Sequence, residues 1–141
     1  MKILIILFSL FFNISDWDNN LQSAKETAHT ENKLILLNFS GSDWCAPCIM
    51  LKKQVFTDSE FHEFASKKLV LMRADFPRLK KNALDSAELK KNEALAEKYN
   101  PQGNFPFTVL LDADGNVLKS WNGYNGKKDE ILAEIKIAAN D

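Results

Sequence analysis

Sulfur and imidazole are scarce in this chain, whose 141 residues hold two cysteines and two histidines. Two cysteines exclude a small scaffold stapled by several disulfides, so stability has to come from packing. A zinc site built on both cysteines needs two further ligands, and His29 and His62 are the only histidines available. His62 sits in a polar stretch between Glu60 and Glu63, and His29 precedes the first expected strand. Both fit surface positions better than a metal site. An excess of charge is absent as well: 18 basic residues stand against 19 acidic ones, a net charge of −1. That balance leaves no electrostatic footprint for nucleic acid. There is no internal repeat, low-complexity tract or linker, so a single domain is expected.

Apolar material is plentiful. The chain is 45% hydrophobic, with ten phenylalanines and three tryptophans, enough to bury a real core. The one long apolar run opens the chain: Met1-Lys2 is followed by "ILIILFSLFF", Ile3 to Phe12. Ten residues are too few to span a bilayer and suit the core of an export signal. No A-x-A cleavage site follows, Ser15 and Ala24 being the nearest small residues. The expected division is an apolar leader or signal peptide over 1–15 and a folded domain over 16–141. Export places the mature protein where disulfide chemistry is permitted.

Periodicity predicts the elements of that domain. Asp16 to about Thr30 reads as an amphipathic helix with Leu21, Ala24 and Ala28 on one face and Trp17 one turn earlier. "KLILLNF", Lys33 to Phe39, is a continuous apolar run, as in a strand buried on both faces. A helix follows from Ala46, with Ile49, Met50, Val55 and Phe56 as its apolar residues. A second helical piece starts at Thr57 or Asp58 and turns Phe61, Phe64 and Ala65 inward. "LVLMRADF", Leu69 to Phe76, is a strand ended by Pro77. A charged loop to about Asp85 leads into a helix ending at Tyr99. "FTVLLDADGNVLKSWNGY" is a hairpin turning at Asp114-Gly115, and Lys127 to Ala139 is a closing helix. A helical crossover makes the first two strands parallel, and the hairpin adds an antiparallel pair. The expected fold is therefore α/β: one mixed sheet of about four strands with helices on both faces.

Both cysteines lie in "GSDWCAPCIM", between the first strand and the following helix. That position puts Cys45 at a helix N-terminus, where unpaired N–H groups and the helix dipole stabilise a thiolate. Cys48 lies one turn inward, within reach of Cys45. Cys45 can attack a substrate disulfide and Cys48 can resolve the mixed disulfide. Pro47 suits the first helical turn, where its missing N–H costs nothing. A purely structural disulfide across four residues would close too short a loop to stabilise much. Copper delivery or electron transfer needs further soft ligands, and Met50 and Met72 read as core residues. "DADG", Asp112 to Gly115, begins like a calcium loop but lacks the later ligands, and a hairpin turn accounts for it.

"WCAPC" resembles the active-site motif of the thioredoxin family, W-C-x-x-C after a first strand. "GNFPFTVLLDADG" resembles the family's segment with a cis-proline before the third core strand, Pro106 standing at that position. The element order from Lys33 onward is similar to the thioredoxin fold, with an added N-terminal helix. "FSGSDWCAPCIMLKKQVFTDSEF" is similar, more narrowly, to extracytoplasmic bacterial thioredoxin-like proteins of the thiol:disulfide interchange type. The resemblance implies a thiol–disulfide oxidoreductase on the reductase or isomerase side, exported and periplasmic. Cys45 is then the nucleophile, Cys48 the resolving thiol, and Trp44, Phe105 and Pro106 meet the substrate. It implies no cofactor and no metal; electrons come from a redox partner protein. Protein thiols and disulfides are the substrates, the protein is a monomer, and only an uncleaved leader touches a membrane.

Two departures stand out. The family usually buries an acid beneath the cysteines as proton acceptor for the resolving thiol. Its counterpart here is Asn38, which cannot take a proton at neutral pH. Asp43 lies nearby and reads as exposed. The charged segment Arg78 to Asp85 lengthens the chain after the second strand, and reads as a solvated loop or a partner surface. The reading of a different class is a redox-inactive binding or metal-handling module on the same fold.

Overall fold

The computed structural model describes residues 17–140. The leader expected over 1–15 lies outside them. The elements are α1 (Leu21–Glu31), β1 (Leu34–Ser40), α2 (Ala46–Leu51), a π-helical segment (Lys52–Phe56) and α3 (Ser59–Lys68). They continue as β2 (Leu69–Asp75), a 3₁₀ turn (Lys80–Asn82), α4 (Ser86–Tyr99), β3 (Phe107–Leu111), β4 (Val117–Asn122) and α5 (Lys128–Asn140).

The four strands form one mixed sheet in the order β2-β1-β3-β4. β1 runs parallel to β2 and antiparallel to β3, and β4 returns antiparallel beside β3. β1 is thus central, which explains its unbroken apolar sequence: both of its faces are covered. Ile35, Leu37 and Phe39 pack with Ala24 and Ala28 of α1 and Leu95 and Tyr99 of α4. Leu36 points the other way, into a cluster with Leu51, Val55, Phe61, Ile131 and Ile135 from α2, the π segment, α3 and α5. Period two along the strand assigns Asn38 and Ser40 to this second face, the face that carries the cysteine helix.

Capping sets the helix starts. Asn20, Asp58 and Asp85 each accept a backbone N–H from the first turn of α1, α3 and α4. The Asn20 cap corrects one expectation. The first helix begins at Leu21, and Trp17 is not part of it. Instead Asp18 pairs with β2, donating to the Leu71 carbonyl (3.3 Å) and accepting from the Arg73 amide (2.8 Å). Trp17 is free to pack on Phe56 (centroids 4.7 Å apart), with the Arg73 guanidinium 4.2 Å from the centre of its ring.

A second correction concerns α2. Its expected apolar face does not hold together, because Ile49 and Met50 are 47% and 37% exposed. The π segment adds a residue to the turn and so rephases the helix, bringing Val55 and Phe56 inward while Ile49 and Met50 stay at the surface. Met72 is fully buried, as expected of a core methionine; Met50 is not. Among the described residues no helix is long and apolar enough to cross a membrane.

Candidate active site

β1 delivers the chain to the site. After Ser40 it turns through residues 41–44, and Cys45 becomes the N-cap of α2 with extended backbone (φ −97°, ψ 101°). The two cysteines form a disulfide with Cα atoms 5.2 Å apart. They are equally buried, 4% and 3% exposed, so exposure does not distinguish them. Backbone geometry does. The Cys48 N–H donates to Cys45 Sγ at 3.3 Å, so the N-cap sulfur receives one of the otherwise unpaired amides at the helix start. No comparable donor reaches Cys48 Sγ among the described residues. An anion on Cys45 is therefore the one the fold stabilises.

Trp44 is held against the loop that precedes it. Its Nε1 donates to the Phe76 carbonyl at 2.7 Å, and its ring covers Gly41 so closely that a Cβ there would stand 2.3 Å from Cε2. Only glycine fits that position. Phe105 meets the Trp44 ring edge-on at 5.4 Å and the Phe76 ring at 5.6 Å. Trp44 and Phe105 thus form one aromatic wall with Phe76.

The Phe105–Pro106 peptide is cis. Pro106 is buried, has no N–H, and gives its carbonyl to the Gly123 amide at 2.8 Å. It offers another chain no donor, and its carbonyl is already engaged once within the chain. The N–H and C=O of Phe105 carry no hydrogen bond among the described residues, so the open backbone groups belong to the residue before the proline. On the far side of α2 the loop after β4 closes in. Tyr124 donates to Gln54 Oε1 at 2.6 Å, and a Cβ on Gly126 would lie 3.6 Å from Met50 Sδ.

Asn38 is 3% exposed and donates through Nδ2 to Thr108 Oγ1, its β3 neighbour, at 3.1 Å. It lies on the sheet face covered by α2, where a proton acceptor for Cys48 is expected. Its β2 neighbour is Arg73, whose guanidinium pKa burial pulls down and the charge of Asp75 partly restores.

The link between the 41–44 loop and the segment after β2 escaped the sequence. Ser42 donates through its amide and hydroxyl to Asp75. Asp43 accepts from the Arg78 amide (2.9 Å), the Leu79 amide (3.0 Å) and Asn82 Nδ2 (2.9 Å). These bonds, the Arg78 amide first, hold its carboxyl below the ordinary carboxylate range. Asp43 is thus half-buried and fully engaged, and the charged segment is anchored where it begins. The anchor sets the Arg78 guanidinium 3.7 Å from the centre of the Trp44 ring. The partners are 35 to 39 residues apart, which no short motif records.

A cavity of about 510 Å³ lies between Trp17, Lys52, Phe56, Arg73, Asp75 and Glu88, and neither cysteine lines it. Both cysteines are instead almost fully covered, at the start of α2. No group of three or more His, Cys, Asp or Glu side chains among the described residues is arranged to hold a metal ion. His29 bonds Asp114 at the surface.

A family model for the thioredoxin-like domain matches residues 21–139. The disulfide bond reductase DsbH of Chlamydia pneumoniae is 34% identical over 122 residues, 86% of this chain and 71% of that protein. A solved structure of a DsbH oxidoreductase superposes with a TM-score of 0.77 at 32% identity, covering 89% of this chain and 84% of that one. The C-terminal domain of Neisseria meningitidis DsbD in its oxidised form superposes with a TM-score of 0.58 at 20% identity, over 87% of this chain and 99% of that domain, a likeness of fold.

Proposed function

The chain belongs to the thioredoxin-like domain family and is a thiol–disulfide oxidoreductase, and from that premise we propose that it works as a reductase of protein disulfides outside the cytoplasm. The observation that carries the mechanism is the Cys48 amide directed at Cys45 Sγ. In the dithiol form the Cys45 thiolate attacks one sulfur of a substrate disulfide. The substrate S–S bond breaks, one substrate thiolate leaves, and a Cys45–substrate disulfide forms. Cys48 loses its proton and attacks Cys45 Sγ, which closes the Cys45–Cys48 bond and releases the second substrate thiolate. Two electrons pass to the substrate, and a reduced partner protein restores the dithiol.

The substrate chain lies extended beside the cysteine pair, pairing with the N–H and C=O of Phe105 and resting on Trp44. The relative DsbH, a disulfide bond reductase, supports the reductase direction. The apolar leader over 1–15 supports export to the periplasm. The protein acts as a monomer.

Insulin reduction tests this reading. Catalytic amounts of the protein with a small-molecule dithiol should accelerate reduction of insulin's interchain disulfides, and Cys45→Ser should abolish the acceleration. A wild-type protein no faster than dithiol alone would favour the redox-inactive binding module.

A further inference from the structure

The Asp43 anchor fixes a cation beside the reactive cysteine and leaves it unpaired. Arg78 is exposed, its backbone is tied to Asp43, and its guanidinium stacks over Trp44, the residue before Cys45. Among the described residues its side chain makes no ion pair or hydrogen bond, so its five N–H donors are open to a ligand. The nearby carboxylates are already used: Asp43 by three donors of the 78–82 segment, Asp75 by Ser42. Lys80 and Lys81 follow on the same turn, exposed and likewise without an ion pair among the described residues. Three cations, Arg78, Lys80 and Lys81, stand here against the two carboxylates Asp43 and Asp75, a small positive excess in a chain of net charge −1.

We propose that Arg78, set over Trp44 by the Asp43 anchor, selects disulfide substrates that carry a carboxylate side chain next to the attacked cysteine. The proposal rests on the reductase reading above and names the class of substrate it prefers. A substrate strand lying along Trp44 brings its flanking residue onto the guanidinium plane, whose paired N–H groups match a carboxylate. A lysine in that place meets a like charge instead.

The test uses pre-reduced full-length protein and two peptide disulfides, identical except for Glu or Lys beside the cysteine. Each second-order rate is divided by that of dithiothreitol with the same peptide, which removes intrinsic reactivity. Wild type should favour the Glu peptide by about three- to fivefold at low salt, the size expected of an exposed charge pair. The preference should shrink toward unity at about 1 M salt, where the screening length is about 3 Å. Arg78→Glu should invert it and Arg78→Lys should keep part of it. Asp43→Ala, which frees the backbone but keeps the guanidinium, should weaken it. An equal ratio in wild type and Arg78→Glu overturns the selection while leaving the reductase reading intact. Failure of wild type to reduce either peptide overturns both.

Discussion

The backbone N–H of Cys48 points at Cys45 Sγ from 3.3 Å. This single contact makes two cysteines of equal burial chemically unequal. In the reduced protein Cys45 should carry a pKa below the ordinary thiol value of about 8.5. Alkylation by iodoacetamide at mildly acidic pH should therefore modify Cys45 first, with its half-maximal rate at a pH below about 8.5. Mapping by mass spectrometry gives the order of labelling, and preferential labelling of Cys48 would reverse the assignment.

Asn38→Asp should restore a proton acceptor beneath the cysteine helix. Burial raises the pKa of a carboxyl at this 3%-exposed position, whereas the cross-strand neighbour Arg73 lowers it. Burial should prevail, so resolution of the mixed disulfide should quicken near neutral pH while attack by Cys45 changes little. Replacing a satisfied amide by a carboxyl should also cost about 1–3 kcal/mol of stability. Stopped-flow rates for the two steps decide. An unchanged resolution rate means that another group or water takes the proton.

Gly41→Ala should disturb the site without touching a reactive atom. The added methyl meets the Trp44 ring at 2.3–2.7 Å, so either the ring or the loop must move. Overpacking of this kind costs about 1–3 kcal/mol. The Trp44–Phe76 hydrogen bond should be lost with it. Denaturant unfolding should give a lower midpoint, and tryptophan emission should shift to the red. Wild-type values for both would mean that Trp44 is not held against Gly41.

The Asp43 anchor should release in acid. Hydrogen bonds from the Arg78 amide, then from Asn82, hold its pKa below the ordinary 3.8. The unfolded carboxyl binds its proton more tightly than the folded one. The anchor's contribution is therefore complete above about pH 3.8 and is lost as pH falls through the lower folded-state value. Asn offers one acceptor oxygen in place of two, so Asp43→Asn should speed hydrogen exchange at the Arg78 and Leu79 amides at neutral pH. Equal exchange in both proteins would show the carboxylate to be dispensable.

What the sequence made legible follows from how local each signal is. Strand β1 is plain in "LILLNFS", because a strand covered on both faces needs no alternation. The hairpin is plain from Asp112 and Gly115, the Asp112 carboxylate accepting from the Asp114 and Asn116 amides. Cys45 and Cys48 identify themselves by spacing and place. Helical spacing alone runs past a cap to Trp17, and Asn20 ends what periodicity would continue. The surface position of Ile49 and Met50 depends on a π segment that has no compositional mark. The Asp43 anchor and the open Phe105 backbone are invisible in sequence for a different reason. Both arise only when loops that are distant along the chain meet at one end of the sheet.

The assignment of Cys45 as nucleophile and Cys48 as resolving thiol is tested most directly by trapping. Reduced Cys48→Ser and Cys45→Ser proteins are each mixed with a disulfide-bonded protein substrate, and the products are read by intact mass and peptide mapping. The account predicts that Cys48→Ser accumulates a one-to-one mixed disulfide through Cys45, whereas Cys45→Ser accumulates little. Accumulation through Cys48 in the Cys45→Ser protein, with none in Cys48→Ser, would contradict it.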